Sequence, residues 1–280
     1  GGWNSAVKFP FIQGTDCCGR VVKIGSDVTS LSLGERVIVR PCQGDVWMGS
    51  DYDGAFAEYV RVPHMECFVV KSETLSDVEL GSVPCAFATA ENMLHRARVC
   101  ENDHVLVPGA SGGVGLAVVL LSLQRKARVT AICGKSKMET LRKILPRPHR
   151  IFSGRSGSSE WKEMCDRLKR EDDITVVVDN VGGNGFADLI EVLKRRGRYV
   201  TSGAIAGPVV SLDLRTLYLR DLTLIGSTAW DPCVFPNLVR YIESGKIKPI
   251  VHGVYKLNEI AKAQQDFMKK KHVGKFVLVH

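Results

Sequence analysis

The 280-residue sequence predicts an α/β protein in which a doubly wound parallel sheet follows a β-rich first stretch and gives way to a short return of strand and helix. Three observations carry that reading. From Val105 onward, short apolar runs of strand length alternate with longer helical patterns, and such alternation builds βαβ units with a parallel sheet covered on both faces. One of these units, Val105 to Leu123, turns from strand into helix through a run of glycines. The first hundred residues carry short strand patterns with turn signals between them, as in a small barrel or sandwich.

In chain order, Gly19 to Gly25 and Gly34 to Arg40 are strand patterns separated by a Ser/Asp/Gly turn region, and Glu58 to Val62 and Cys67 to Val70 continue in the same style. Pro41 to Gly54 is a polar and aromatic loop carrying Trp47 and Tyr52. From Leu80 the period changes, and Cys85 to Ala97 predicts a helix. Predicted strands follow at 105–107, 128–132, 150–152, 175–178, 198–200 and 222–225. The helices between and after them are predicted at 114–124, 136–145, 159–169, 184–194 and 236–243. The tail changes style again, with a strand near 251–255, a helix over 258–270 and a last strand over 275–279.

The bulk composition excludes several classes. With 45% hydrophobic and 24% charged residues the chain is an ordinary globular one rather than disordered. No apolar run reaches the roughly 18 residues that a membrane span needs. Nine cysteines, an odd number with no C-x-x-C pair, fit reduced thiols better than a disulfide framework, and with no visible targeting leader they point to the cytoplasm. The net charge of +8, from 38 basic against 30 acidic residues, is compatible with a polyanion partner. Its basic runs at 142–143, 147–150, 194–198 and 269–271 mostly end helices, where cations suit the negative dipole end.

In the strand-turn-helix, Gly109, Gly112 and Gly115 have separate jobs: a tight turn, close approach of a pyrophosphate to bare backbone, and close packing of helix on strand. The helix start through Ser111, Gly113 and Val114 offers free N–H groups to phosphate. The spacing is G-x-x-G-x-x-G, and the strand before and helix after supply the context that such a motif requires.

Taken together, Gly14-Thr-Asp-Cys-Cys-Gly19, Gly34-Glu-Arg-Val37, Gly54-Ala-Phe-Ala-Glu-Tyr59, Thr89-Ala90, the 109–115 turn, Asp179-Asn-Val-Gly-Gly183, Gly197-Arg-Tyr-Val200 and Gly274-Lys-Phe-Val-Leu278 resemble the medium-chain dehydrogenase/reductase superfamily over nearly the whole chain. Within it, the resemblance runs to zinc-independent quinone-oxidoreductase-like and alcohol dehydrogenase-like members. It implies a Rossmann sheet inserted into a GroES-like β-rich domain: 1–88 GroES-like, 89–245 Rossmann and 246–280 the returning segment. It also implies further residues ahead of the Gly14 segment, so the chain is expected to be short at its start. Many members pair their Rossmann sheet edges, which implies a homodimer.

The end of the second strand, Ile132-Cys-Gly-Lys-Ser-Lys137, has no carboxylate before Glu139. NAD-specific units place an Asp or Glu there for the ribose 2′-hydroxyl, whereas Gly134, Lys135, Ser136 and Lys137 suit a 2′-phosphate, so NADPH is expected over NADH. The resemblance places Asn180, Val181, Ser202 and Gly203 on the nicotinamide-ribose side, adds Lys275 to the cofactor-binding residues, and sets Thr89 beside the nicotinamide.

Zinc-dependent members use a Cys, a Gly-His-Glu histidine and a later Cys. Here Gly14-Thr15-Asp16 stands at the histidine place and only Cys85 matches the later cysteine. One thiolate does not hold zinc, and Cys42 alone cannot form a four-cysteine structural site, so no metal is expected. Asp16 and Tyr52 are the candidates for donating or relaying a proton. His64, His95, His104 and His252 form no spaced pair, and no hydrolase elbow is present.

The expected activity is NADPH-dependent hydride transfer between nicotinamide and a small carbonyl, quinone, alcohol or activated alkene, without zinc. The alternative is a degenerate dehydrogenase fold serving as a nucleic-acid or protein-binding module.

Overall fold

The structure, a computed structural model, describes residues 10–44, 46–145, 150–171 and 173–280. The opening residues read above and positions 147–149 of the second basic run lie outside them. The chain divides into two compact units: Gly1–Ala88, Pro232–Lys271 and Lys275–His280 form the first, Thr89–Asp231 with His272–Gly274 the second.

In the first unit β1 (Cys18–Arg20), β2 (Arg36–Val39), β3 (Cys42–Gln43), β4 (Val46–Trp47) and β5 (Cys67–Val69) precede α1 (Asp77–Gly81), and α2 (Pro84–Arg96) begins here. β2 is central in an antiparallel sheet of order β1-β2-β5, with Cys18 opposite Ile38 and Ile38 opposite Phe68. The expected strand over Gly19 to Gly25 is shorter, because Val22 faces solvent and pairing ends once Gly34 donates to the Val21 carbonyl. The expected strand over Glu58 to Val62 does not form. Val60 and Val62 instead pack against Val37, Val39 and Met48 without a backbone ladder. α1, which the apolar pattern did not indicate, is started by a capping box in which Ser76 and Glu79 satisfy each other's backbone N–H.

The second unit holds β6 (His104–Val107), α3 (Gly113–Gln124), β7 (Arg128–Cys133), α4 (Met138–Ile144), β8 (Arg150–Ser153), α5 (Ser159–Glu171), β9 (Ile174–Asp179), α6 (Phe186–Glu191), β10 (Leu193–Thr201), α7 (Leu214–Leu219) and β11 (Thr223–Gly226). All six strands run parallel, in the order β11-β10-β9-β6-β7-β8. β6 and β9 are buried along their whole length, as central strands covered on both faces must be. Leu106, Ile132, Trp161, Leu168, Phe186 and Tyr199 share one core cluster. The predicted helix at 184–194 is cut short by β10, which starts at Leu193 and carries a register shift before Arg198. The helix predicted at 136–145 opens with a 3-10 turn, Lys135–Lys137, ahead of α4.

α8 (Val234–Glu243), β12 (Val251–Lys256), α9 (Ile260–Met268) and β13 (Lys275–Val279) return to the first unit, where β12 and β13 pair in parallel. No helix among the described residues is long and apolar enough to cross a membrane.

Candidate cofactor site

The strand order reverses direction between β6 and β9, and ligands of open α/β sheets bind at the carboxyl ends on either side of such a switch. Gly109, directly after β6, has φ of +65°, and a side chain there would meet Val181 Cγ2 at 2.9 Å. A Cβ on Gly115 would collide with the carbonyl of Gly109, which fixes helix-on-turn packing. At Gly112 the nearest obstacle to a Cβ is that carbonyl at 3.5 Å, so the missing side chain leaves room for something else to approach. α3 starts with Gly112 as its N-cap and has no side-chain cap, so its first N–H groups and positive end face outward, as phosphate requires. The turn is tied to β7 by Ala110 N–H to the Ile132 carbonyl at 2.9 Å, and the 272–274 segment closes on it through Gly274 N–H to Ser111 O at 3.1 Å.

Gly134, Lys135 and Ser136 are exposed beyond β7, and Lys137 is half-buried. Across the switch, Asp179 is fully buried. Its Oδ1 accepts Val181 N–H at 2.7 Å, and its Oδ2 accepts Gly182 N–H at 3.1 Å and the Tyr199 hydroxyl at 2.6 Å. That carboxylate holds the turn carrying Asn180 and Val181. Asn180 Oδ1 in turn accepts Ser202 Oγ–H at 2.9 Å, and Ser202 Oγ lies 3.3 Å from Met93 Sδ. Thr89 sits one turn before Met93 on the same face of α2. The structure thus brings Asn180 and Ser202 together at the sheet mouth with Met93 of α2 against them, while Gly203 stays exposed next to Ser202. Sequence reasoning singled out neither Asp179 as an anchor nor Tyr199, since nothing in the chain pattern reveals which buried hydroxyl meets which carboxylate.

Asp16, Tyr52 and Lys275 belong to the first unit. Asp16 Oδ1 accepts the backbone N–H of Cys85 at 2.6 Å, and its Oδ2 pairs with Lys275 Nζ at 3.0 Å. The Asp16 carboxylate beside it holds the Lys275 ammonium above the usual lysine range. Tyr52 packs against the Val37 and Met48 cluster, and burial raises its phenol. Burial likewise pushes the Cys17 thiol up to about 11 and the Cys18 thiol up to about 12, so neither is a thiolate at neutral pH.

The sequence profile of the Alcohol dehydrogenase GroES-like domain matches residues 1–72, and that of the Zinc-binding dehydrogenase family matches residues 149–278. An acryloyl-coenzyme A reductase of Metallosphaera sedula is 29% identical over 99% of this chain and 86% of its own length. A solved protein of Sinorhizobium meliloti with a provisional alcohol dehydrogenase name is 42% identical, with a TM-score of 0.87 over 98% of this chain and 77% of that one. The chain belongs to the medium-chain dehydrogenase/reductase superfamily. As such it is an oxidoreductase of nicotinamide type.

A further superfamily structure, a thermostable alcohol dehydrogenase of Pyrobaculum aerophilum with bound cobalt and zinc, is 30% identical with a TM-score of 0.85 over all of this chain and 85% of that one. In the present chain Thr15 offers no imidazole, both Asp16 oxygens are engaged by Cys85 N–H and Lys275, and no three His, Cys, Asp or Glu side chains gather among the described residues.

Proposed function

We propose that this protein is an NADPH-dependent, zinc-independent reductase of a small carbonyl, quinone or activated alkene, interconverting carbonyl and alcohol where the substrate allows. The observation that carries the reading is the carboxylate-free, basic end of β7 beside a glycine turn built for pyrophosphate. A carboxylate at that place would repel a 2′-phosphate, whereas Lys135, Ser136 and Lys137 attract one. The acryloyl-coenzyme A reductase relative favours an activated alkene within this substrate class.

The bound nicotinamide supplies the hydride. The chain's own part is to hold and orient. The 109–115 turn and the start of α3 take the pyrophosphate, Gly134 to Lys137 the adenosine end, and Asn180, Val181, Ser202 and Gly203 the nicotinamide ribose, with Thr89 beside the ring. Such positioning is worth several orders of magnitude in rate. Tyr52, its phenol raised by burial, keeps its proton through neutral pH and serves as the donor. Asp16, engaged on both oxygens, holds Lys275 in place.

The assembly that fits is a homodimer through β11. This edge strand has unpaired backbone groups, and Leu224 on it and Leu219 and Tyr218 before it are exposed. A cytoplasmic location suits the nine reduced thiols.

Turnover tests the reading directly. NADPH oxidation followed with an enoyl thioester, a quinone and an aldehyde should be measurable with at least one, the thioester fastest. Tight NADPH binding with no oxidation by any of the three classes would contradict it.

A further inference from the structure

The adenosine end of the site has a second wall that the glycine turn and β7 do not supply. β7 and β8 run parallel with Cys133 opposite Ser153, and Gly154 N–H continues the ladder to the Cys133 carbonyl at 3.3 Å. The residues that open the loop after β8 therefore lie one strand spacing, about 4.8 Å, from the end of β7. Its shape is fixed. Ser158 N–H bonds the Arg155 carbonyl at 2.9 Å, the Ser158 hydroxyl accepts Trp161 N–H at 3.2 Å, and a side chain on Gly154 would press on Trp161 at 3.4 Å. Arg155 thereby sits, exposed, on a hydrogen-bonded turn.

An exposed arginine is ordinarily a solvated cation, but several arginines of this sheet are paired. Near the amino ends of the strands, Arg128 pairs with Asp173, Arg150 with Glu171 and Arg198 with Asp103. At the carboxyl ends, neither Lys135 nor Arg155 makes an ion pair among the described residues. Glu160, in the first turn of α5, shares the field of Lys135. Its carboxylate is held ionised by the helix amide and by the Ser158 and Ser159 hydroxyls.

We infer that Arg155 is a specificity-determining residue for the cofactor, closing over the adenosine 2′-phosphate from the β8 side while Lys135 and Ser136 hold it from the β7 side. A planar guanidinium takes two phosphate oxygens at once, where an ammonium takes a point contact. The inference rests on the NADPH reading above and adds a residue from a different strand to it.

The test uses the full chain with Arg155→Gln and Arg155→Lys, titrated with NADPH, NADH and the fragments 2′,5′-ADP and 5′-AMP. Arg155→Gln should weaken NADPH and 2′,5′-ADP by about tenfold and leave NADH and 5′-AMP unchanged, with Arg155→Lys between the two. A parent that prefers NADPH together with an Arg155→Gln variant of the same preference would overturn the inference and leave the NADPH reading standing. Equal weakening of NADPH and NADH would also overturn it, because the phosphate would not be what Arg155 reads. A parent without preference for NADPH would remove both.

Discussion

Tyr199 donates its hydroxyl to Asp179 Oδ2 at 2.6 Å, inside the sheet and across from β9 to β10. The same carboxylate carries the N–H groups of Val181 and Gly182, so the tyrosine completes the anchor of the turn that presents Asn180. Tyr199→Phe removes one bond to a buried carboxylate and should cost roughly 1–3 kcal/mol. It should also weaken NADPH through a displaced Asn180. Urea unfolding and NADPH titration of the variant check both, and an unchanged midpoint would show that the bond carries no load.

Two glycines of one turn should fail differently. Gly115→Ala sets a methyl against the Gly109 carbonyl and should lower stability as well as cofactor affinity. Gly112→Ala has room in the protein itself, with the nearest atom at 3.5 Å, and should fold normally while NADPH binding drops by about tenfold or more. Thermal melts beside fluorescence titrations separate the two. A Gly112→Ala protein that binds as the parent does would mean that no pyrophosphate passes there.

Much of this arrangement was legible in the sequence, for reasons that the residues make plain. Val105-Leu-Val107 followed by three spaced glycines leaves few options to a buried strand, and the structure has the strand, turn and helix there. α7 was not legible because its apolar residues do not form a buried stripe: Leu214 and Leu219 are each 64% exposed. α1 carried a usable signal, the Ser76-to-Glu79 capping box, which apolar periodicity does not register. Glu58 to Val62 misled because alternation reports which side chains face the core, and Val60 and Val62 do so without a partner strand. The Asp16 to Lys275 pair spans 259 positions and has no local trace at all.

That pair has a pH signature. Lys275 is raised by Asp16 above the ordinary 10.5, so its contribution is complete below that value and is lost as pH rises through the higher folded value. The stability advantage of the parent over Lys275→Met should therefore hold at about pH 8 and shrink at about pH 11 in urea unfolding. An advantage that does not change over this range would show that the ion pair is not its source.

Metal content follows from the donor set. With Thr15 in place of an imidazole and Asp16 committed to Lys275, purified protein should carry far less than one zinc per chain, and chelator treatment should leave NADPH affinity unchanged. Elemental analysis checks it. Near-stoichiometric zinc in untagged protein would contradict the zinc-independent reading.

The central claim is that the end of β7 selects the phosphorylated cofactor, and one titration reaches it most directly. Parent and Lys135→Glu proteins are titrated with NADPH and NADH under identical salt, since phosphate contacts weaken as ionic strength rises. The parent should bind NADPH at least about tenfold more tightly than NADH, and Lys135→Glu should erase or invert that ratio by repelling the 2′-phosphate. Equal affinities in the parent, or a preference that survives the substitution, would contradict the account.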